Sequence, residues 1–135
     1  MVFEVLKEEN KKQVLDLIEE SFDIKSDNGI LLGSNYKFVV FKEDINVVAT
    51  AMLTTLMDPI KNIKKMHIDY FCVSKDYRER GIGRQFFDEI ESLAKQEGVN
   101  LLELTSNPKR ESARRLYLDK DMILLDTNVF IKNLR

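Results

Sequence analysis

One unit in this sequence limits the fold more than any other. An apolar strand candidate over 64–73 leads into a glycine-bearing turn, a helix over about 82–97 and a second strand over 99–105. Ile82, Phe86, Phe87, Ile90, Leu93 and Ala94 recur at helical spacing and define one apolar face. Gly98 stands where a left-handed residue ends such a helix. A strand–helix–strand crossover lays its two strands side by side and parallel.

The remaining segments add antiparallel pieces. Residues 2–6 read as a short strand. Asn10 with Gln13 three residues on resembles a capping box, and Val14, Leu15, Ile18 and Phe22 follow at helical spacing over 11–22. Residues 23–35 hold two of the five glycines and form a long loop. Residues 36–42 and 46–56 are β-rich runs about Glu43-Asp44-Ile45-Asn46, which predicts a hairpin, and Asp58-Pro59 ends the second run. Asn107-Pro108 reads as a helix start, with Ala113, Leu116 and Tyr117 on one face of that helix. Residues 122–126 and 128–132 read as a final hairpin. The expected fold is α/β (α+β): a single domain over 1–135, with a mixed, mostly antiparallel sheet of about six to seven strands flanked by three to four helices.

Composition narrows the function. The 135 residues carry 21 basic and 23 acidic side chains, so no overall charge draws the chain to nucleic acid or an anionic membrane. No apolar run approaches the roughly 18 residues that span a bilayer, and the N-terminus has early acids rather than a signal peptide. The expected compartment is the cytoplasm. Cys72 is the only cysteine and His67 the only histidine, which excludes the usual Cys/His zinc sets; no metal is expected.

The chemistry concentrates in Arg78-Glu79-Arg80-Gly81-Ile82-Gly83-Arg84, between the strand and the helix. Amides at a helix start point outward, and the helix dipole favours an anion there. Glycine lets the backbone approach phosphate oxygens, and three arginines add positive charge. A turn that merely needs glycine has the same two residues. The spacing fits neither a Walker loop nor a dinucleotide fold.

With this loop in its place the chain resembles the Gcn5-related N-acetyltransferases (GNAT). Arg78-x-x-Gly81-x-Gly83 matches that family's Gln/Arg-x-x-Gly-x-Gly/Ala loop. Asn107 after a strand, then Ala113-x-x-Leu116-Tyr117, resembles its later signature. The resemblance implies acyl transfer, usually acetyl, from acetyl-coenzyme A to an amine, in a direct ternary complex. It implies that the backbone of Phe71, Cys72 and Val73 pairs with the pantetheine arm and that this strand splays from the next. It also implies that amides from Glu79 to Arg84 hold the pyrophosphate, with Asn107 on the pantetheine and Tyr117 near the sulfur. Asp121 stands where the family often has a helix-ending glycine, and Asp tolerates the left-handed conformation better than most residues.

Roles follow from the reaction. The amine must lose a proton and the thiolate must gain one. Tyr117, a phenol protonated at neutral pH, is the candidate acid; a core tyrosine on the same apolar face is the alternative. Plain alternation puts His67, Asp69, Phe71 and Val73 on one strand face and Cys72 on the other, unless a bulge shifts the parity. Some family members keep a glutamate six residues before the strand-end valine, and that count from Val73 lands on His67. His67, Asp69 or an ordered water is the base. Cys72 reads as a small buried hydrophobe. Lys109, Arg110, Arg114 and Arg115 form a second basic group, suited either to the coenzyme's 3′-phosphate or to a solvated face. Asp23 and Asp27 in the loop would suit a cationic acceptor. A non-catalytic acyl-CoA-binding module is the alternative function, and a homodimer through the strand over 128–132 is compatible with either.

Overall fold

A computed structural model of the chain describes residues 1–26, 29–31 and 33–135. Asp27, with Asn28 and Leu32 of the same loop, lies outside the described residues. The strands are β1 (Val2–Val5), β2 (Tyr36–Glu43), β3 (Asn46–Asp58), β4 (Ile63–Val73) and β5 (Leu101–Glu103). The helices are α1 (Lys11–Phe22), α2 (Ile82–Gln96) and α3 (Glu111–Asp119), with 3-10 turns at Glu8–Asn10 and Lys75–Tyr77. Two compact parts divide the chain, Met1–Thr105 and Ser106–Arg135.

Within Met1–Thr105 the sheet order is β1-β2-β3-β4-β5. The first three pairings are antiparallel, and β4 pairs with β5 in parallel, as the crossover through α2 requires. The β2–β3 turn closes at Glu43↔Asn46, with Asp44 left-handed at φ 53°. Asp58 ends β3, and its Oδ1 accepts the amides of Ile60 (3.0 Å) and Lys61 (3.1 Å). Those donors, Lys61 first, hold its carboxyl below the usual range.

Strand alternation gives the sheet two apolar faces. On one, Val14, Leu17 and Ile18 of α1 meet Phe38, Val40, Val47 and Cys72. On the other, the Phe86 ring of α2 lies 5.8 Å from Phe3, 5.6 Å from Phe41 and 5.4 Å from Phe71, centroid to centroid. Gly98, left-handed at φ 74°, ends α2 as expected.

Three local expectations are corrected. Asn10 makes no capping bond, because it closes a 3-10 turn at φ −102°, ψ 0° rather than entering the helix from extended backbone. Gln13 turns to the β2–β3 hairpin instead: its Nε2 donates to the Ile45 carbonyl (3.0 Å) and its Oε1 accepts the Val47 amide (2.9 Å). In the second part, Asn107 does not start α3. Its Oδ1 accepts the Lys109 amide (2.9 Å) and its carbonyl the Arg110 amide (2.9 Å), a separate turn before Glu111. The final hairpin is absent: residues 122–135 form no strand, and Ile123, Phe130 and Ile131 are 83%, 90% and 91% exposed. β-prone residues make a strand only when a ladder partner takes their backbone groups. The described strands are therefore five rather than six to seven, with three α-helices, and the strand over 128–132 proposed for dimer pairing is missing. Asp121 is left-handed at φ 63°, the conformation that Asp tolerates better than most residues.

Two outcomes are expected. Phe86 is fully buried, so Phe86→Ala should cost about 3–5 kcal/mol in chemical denaturation. Glu4 faces Lys42 (3.2 Å) and Lys7 (3.4 Å), and the Lys42 ammonium above all lowers its carboxyl below the ordinary value. A lowered folded-state pKa stabilises above the unfolded value and is lost as pH falls through the folded one. Glu4→Gln should therefore lower Tm at pH 7 and converge on wild type as thermal melts are taken into acid.

Candidate functional site

β4 organises the site because it carries one residue too many. Across the β3–β4 pair, Thr50 faces Cys72 and Met52 faces Asp69, so between these pairs the one β3 residue Ala51 opposes two of β4, Tyr70 and Phe71. Tyr70 absorbs the excess at φ 52° and sets its ring edge-on to Phe22, 5.5 Å away. Thr50 and Met52 share a face, so Cys72 shares one with Asp69. This corrects plain alternation, which put Cys72 opposite His67. Cys72 is buried in the α1 cluster, while Phe71 turns to Phe86 and Phe87 on the α2 side.

A fork opens beside this bulge. The β4–β5 ladder runs through Lys65↔Leu101, Met66↔Leu102 and His67↔Glu103 and stops, while β4 continues to Val73. Its closed end is clasped. The Lys64 amide donates to Asn100 Oδ1 (2.8 Å), the Asn100 amide to the Lys64 carbonyl (2.8 Å), and Lys64 Nζ to the Glu97 carbonyl (2.7 Å).

The glycine loop follows the other end of β4. Glu79 (φ 61°) and Gly81 (φ 77°) are both left-handed, which reverses the chain into α2. The first helical bond runs from the Gln85 amide to the Gly81 carbonyl (3.1 Å). The amides of Ile82 and Gly83 thus precede any helical acceptor. A Cβ built on Gly81 would meet no atom within 4 Å, so the space above it is open. Ile82 anchors the helix with a buried side chain. Arg78 Nε donates to the Val73 carbonyl (2.9 Å) and ties the loop to the strand end. The Arg80 guanidinium lies 5.2 Å from the Tyr77 ring centroid. A hydrogen bond to the Glu43 carboxylate raises the Tyr77 phenol above its ordinary pKa.

At the fork's last rung lies a cluster that the sequence only half revealed. His67 Nε2 is 3.4 Å from Asp69 Oδ1, and Nδ1 is 3.4 Å from Glu103 Oε1. Glu103 was missed. Its signal is the parallel register, which pairs it with His67 and cannot be read from either strand alone. The two carboxylates approach opposite nitrogens, and among the described residues no three such side chains converge to hold a metal ion. Asn107 and Tyr117 belong to the Ser106–Arg135 part. There Ala113, Leu116 and Tyr117 are the least exposed residues among 111–119, and Tyr117's carbonyl accepts the Met122 amide (3.0 Å). Lys109, Arg114 and Arg115 are exposed, and Arg110 is half-buried. Beside the C-terminal end of α1, a cavity of about 420 Å³ is lined by Asp16, Glu19, Glu20, Asp23, Ile24 and Lys25. Among the described residues no helix is long and apolar enough to cross a membrane.

Comparison with known proteins decides the family. The sequence model described as the acetyltransferase (GNAT) family matches residues 2–121. The chain belongs to the GNAT family. No curated protein matches it in sequence. A ribosomal-protein-alanine N-acetyltransferase from Brucella melitensis biovar Abortus 2308 superposes at TM-score 0.83 and 16% identity, over 99% of this chain and 100% of that one. An aminoglycoside acetyltransferase from an uncultured soil metagenomic sample, in complex with sisomicin, gives 0.83 and 15%, over 99% and 96%. A transcriptional regulator from Bacillus halodurans C-125 gives 0.85 and 15%, over 98% and 99%. At such identities these likenesses show the GNAT fold alone. Membership in an acetyltransferase family agrees with the motif at Arg78-x-x-Gly81-x-Gly83.

Gly81 provides a direct check on the loop. Gly81→Ala has room for its methyl but not the favoured backbone, so it should cost about 1–2 kcal/mol in denaturant unfolding with no steric clash.

Proposed function

We propose that this chain is an N-acetyltransferase that moves an acetyl group from acetyl-CoA to a primary amine in one ternary complex. The carrying observation is the fork itself: β4 outruns its ladder with β5 and leads directly into a glycine turn and helix head. The residues present fit the coenzyme. Left-handed Gly81, open space above it and the amides at the start of α2 suit a diphosphate. Amides of Glu79, Arg80, Gly81, Ile82, Gly83 and Arg84 are the proposed diphosphate holders, and the backbone of Phe71, Cys72 and Val73 the proposed pantetheine track. Asn107 is a further proposed contact.

When bound, acetyl-CoA supplies a thioester whose acyl carbon accepts the amine. Tyr117 is the proposed donor of the proton that the departing thiolate takes. The base is His67, at the last rung of the fork, Asp69, two residues beyond it, or a water held by them. The acid-lined cavity at the end of α1 favours a cationic acceptor. Its acids are partly answered: Lys12 pairs with Asp16 (3.0 Å), Lys75 with Glu20 (3.2 Å), and the Ser26 amide donates to Glu19 (3.1 Å).

Thermal unfolding tests the binding step. Acetyl-CoA at 100 times its Kd should add about 2.7 kcal/mol of stability to wild type. Gly81→Trp, folded, should lose that shift. No shift at millimolar ligand sinks the proposal, and a shift with no thiol release across an amine panel indicates a binding module instead. For the acid, Tyr117→Phe should lower kcat roughly 100-fold or more while acetyl-CoA affinity holds; full activity in that variant removes Tyr117 from the role.

A further inference from the structure

We propose that His67 is the general base and that Glu103 is its positioning residue, holding the proton on Nδ1 so that Nε2 receives the acceptor's proton. This rests on the acetyl-transfer reading above and selects among the bases that reading leaves open.

The geometry argues for the assignment in three steps. His67 and Glu103 are directly paired across the last rung of the β4–β5 ladder, so the backbone register fixes their side chains next to each other. Glu103 is steadied on its far side, where Oε2 lies 3.9 Å from Lys65 Nζ, leaving Oε1 toward the imidazole. The two nitrogens then face different directions along the strand. Nδ1 faces β5 and the closed part of the fork. Nε2 faces Asp69, two residues nearer Val73, which is the direction in which the fork opens.

A neutral imidazole carries one N–H and one lone pair. With its hydrogen on Nδ1 toward Glu103, the lone pair on Nε2 lies on the Asp69 side, 3.4 Å from Oδ1, where the acceptor ammonium would be attracted by both groups. The acceptor ammonium then transfers one proton: its N–H bond breaks, an Nε2–H bond forms, and the freed nitrogen lone pair is left for the acyl carbon. Asp69 stands beside the nitrogen that becomes positive and stabilises it. Both contacts, at 3.4 Å, are long for formed hydrogen bonds, as catalytic contacts without substrate often are. Asp69 and Glu103 face the ring, Lys65 faces Glu103, and Thr54 is the residue paired with His67 on β3.

The test uses the fact that the chain has one histidine. Every imidazole ¹⁵N signal belongs to His67, so two-bond ¹⁵N–¹H spectra of the neutral ring report which nitrogen carries the hydrogen. Wild type should be mainly the Nδ1–H form. Glu103→Gln should lose that preference, whereas Asp69→Asn should keep it. In turnover, Glu103→Gln should lower kcat by roughly tenfold or more with the acetyl-CoA KM unchanged. A wild-type ring mainly in the Nε2–H form overturns the proposal without any variant. So does a Glu103→Gln protein that keeps both the wild-type tautomer and the wild-type kcat. The spectra need no turnover, so absent acetyl transfer would count against the function while the tautomer still decides the pair.

Discussion

The structure depends on β4 being packed on both faces at once. Cys72 of this strand enters the α1 cluster, and Phe71, its neighbour, enters the ring cluster about Phe86 of α2. A strand held from both sides has little freedom to shift its register, because a slip by one residue would exchange the faces. The positions of the cluster around His67, of the fork and of the glycine turn all descend from that fixed strand. Apolar burial here does more than stabilise: it sets the coordinates from which polar groups are placed.

The bulge at Tyr70 shows how the two demands are reconciled. A regular strand would give alternate residues to alternate faces throughout. Here the core needs Phe71 on the α2 side and Cys72 on the α1 side, while His67 and Asp69 stay on the α1 side of the strand below. One left-handed residue makes these compatible, at a backbone cost of order 1–3 kcal/mol that surrounding packing must exceed. The Phe22 ring against Tyr70 is part of that packing.

Legibility in the sequence follows the range of the forces involved. The α2 helix, its Gly98 stop and the β2–β3 hairpin were all readable, because each is set by neighbours within a turn or two. The parallel β4–β5 pair was readable from the crossover alone. The cap at Asn10 and the helix start at Asn107 were misread where local side-chain bonding went another way: Gln13 found the hairpin, and Asn107 closed its own turn. The last two strands were read from composition that the structure leaves exposed. In the candidate site, the glycine loop, His67 and Asp69 were legible. Glu103 was not, because its place depends on a pairing between segments 36 residues apart. The parity of Cys72 stayed open between plain alternation and a bulge, since one extra residue in a strand leaves no local signature.

The clasp around Lys64 has a mechanical meaning. Three bonds involving its amide, carbonyl and ammonium join β4 to the segment from Glu97 to Asn100 at the closed end of the fork. Beyond them only three residue pairs hold β5. Such a joint is held by more bonds at its Lys64 end than at Glu103. Amide hydrogens near Lys64 should exchange slowly with solvent, and those nearer Glu103 faster, as the less bonded end opens more often than the other. A gradient of this kind would let the arms spread for a guest without loosening the strand that both helices grip.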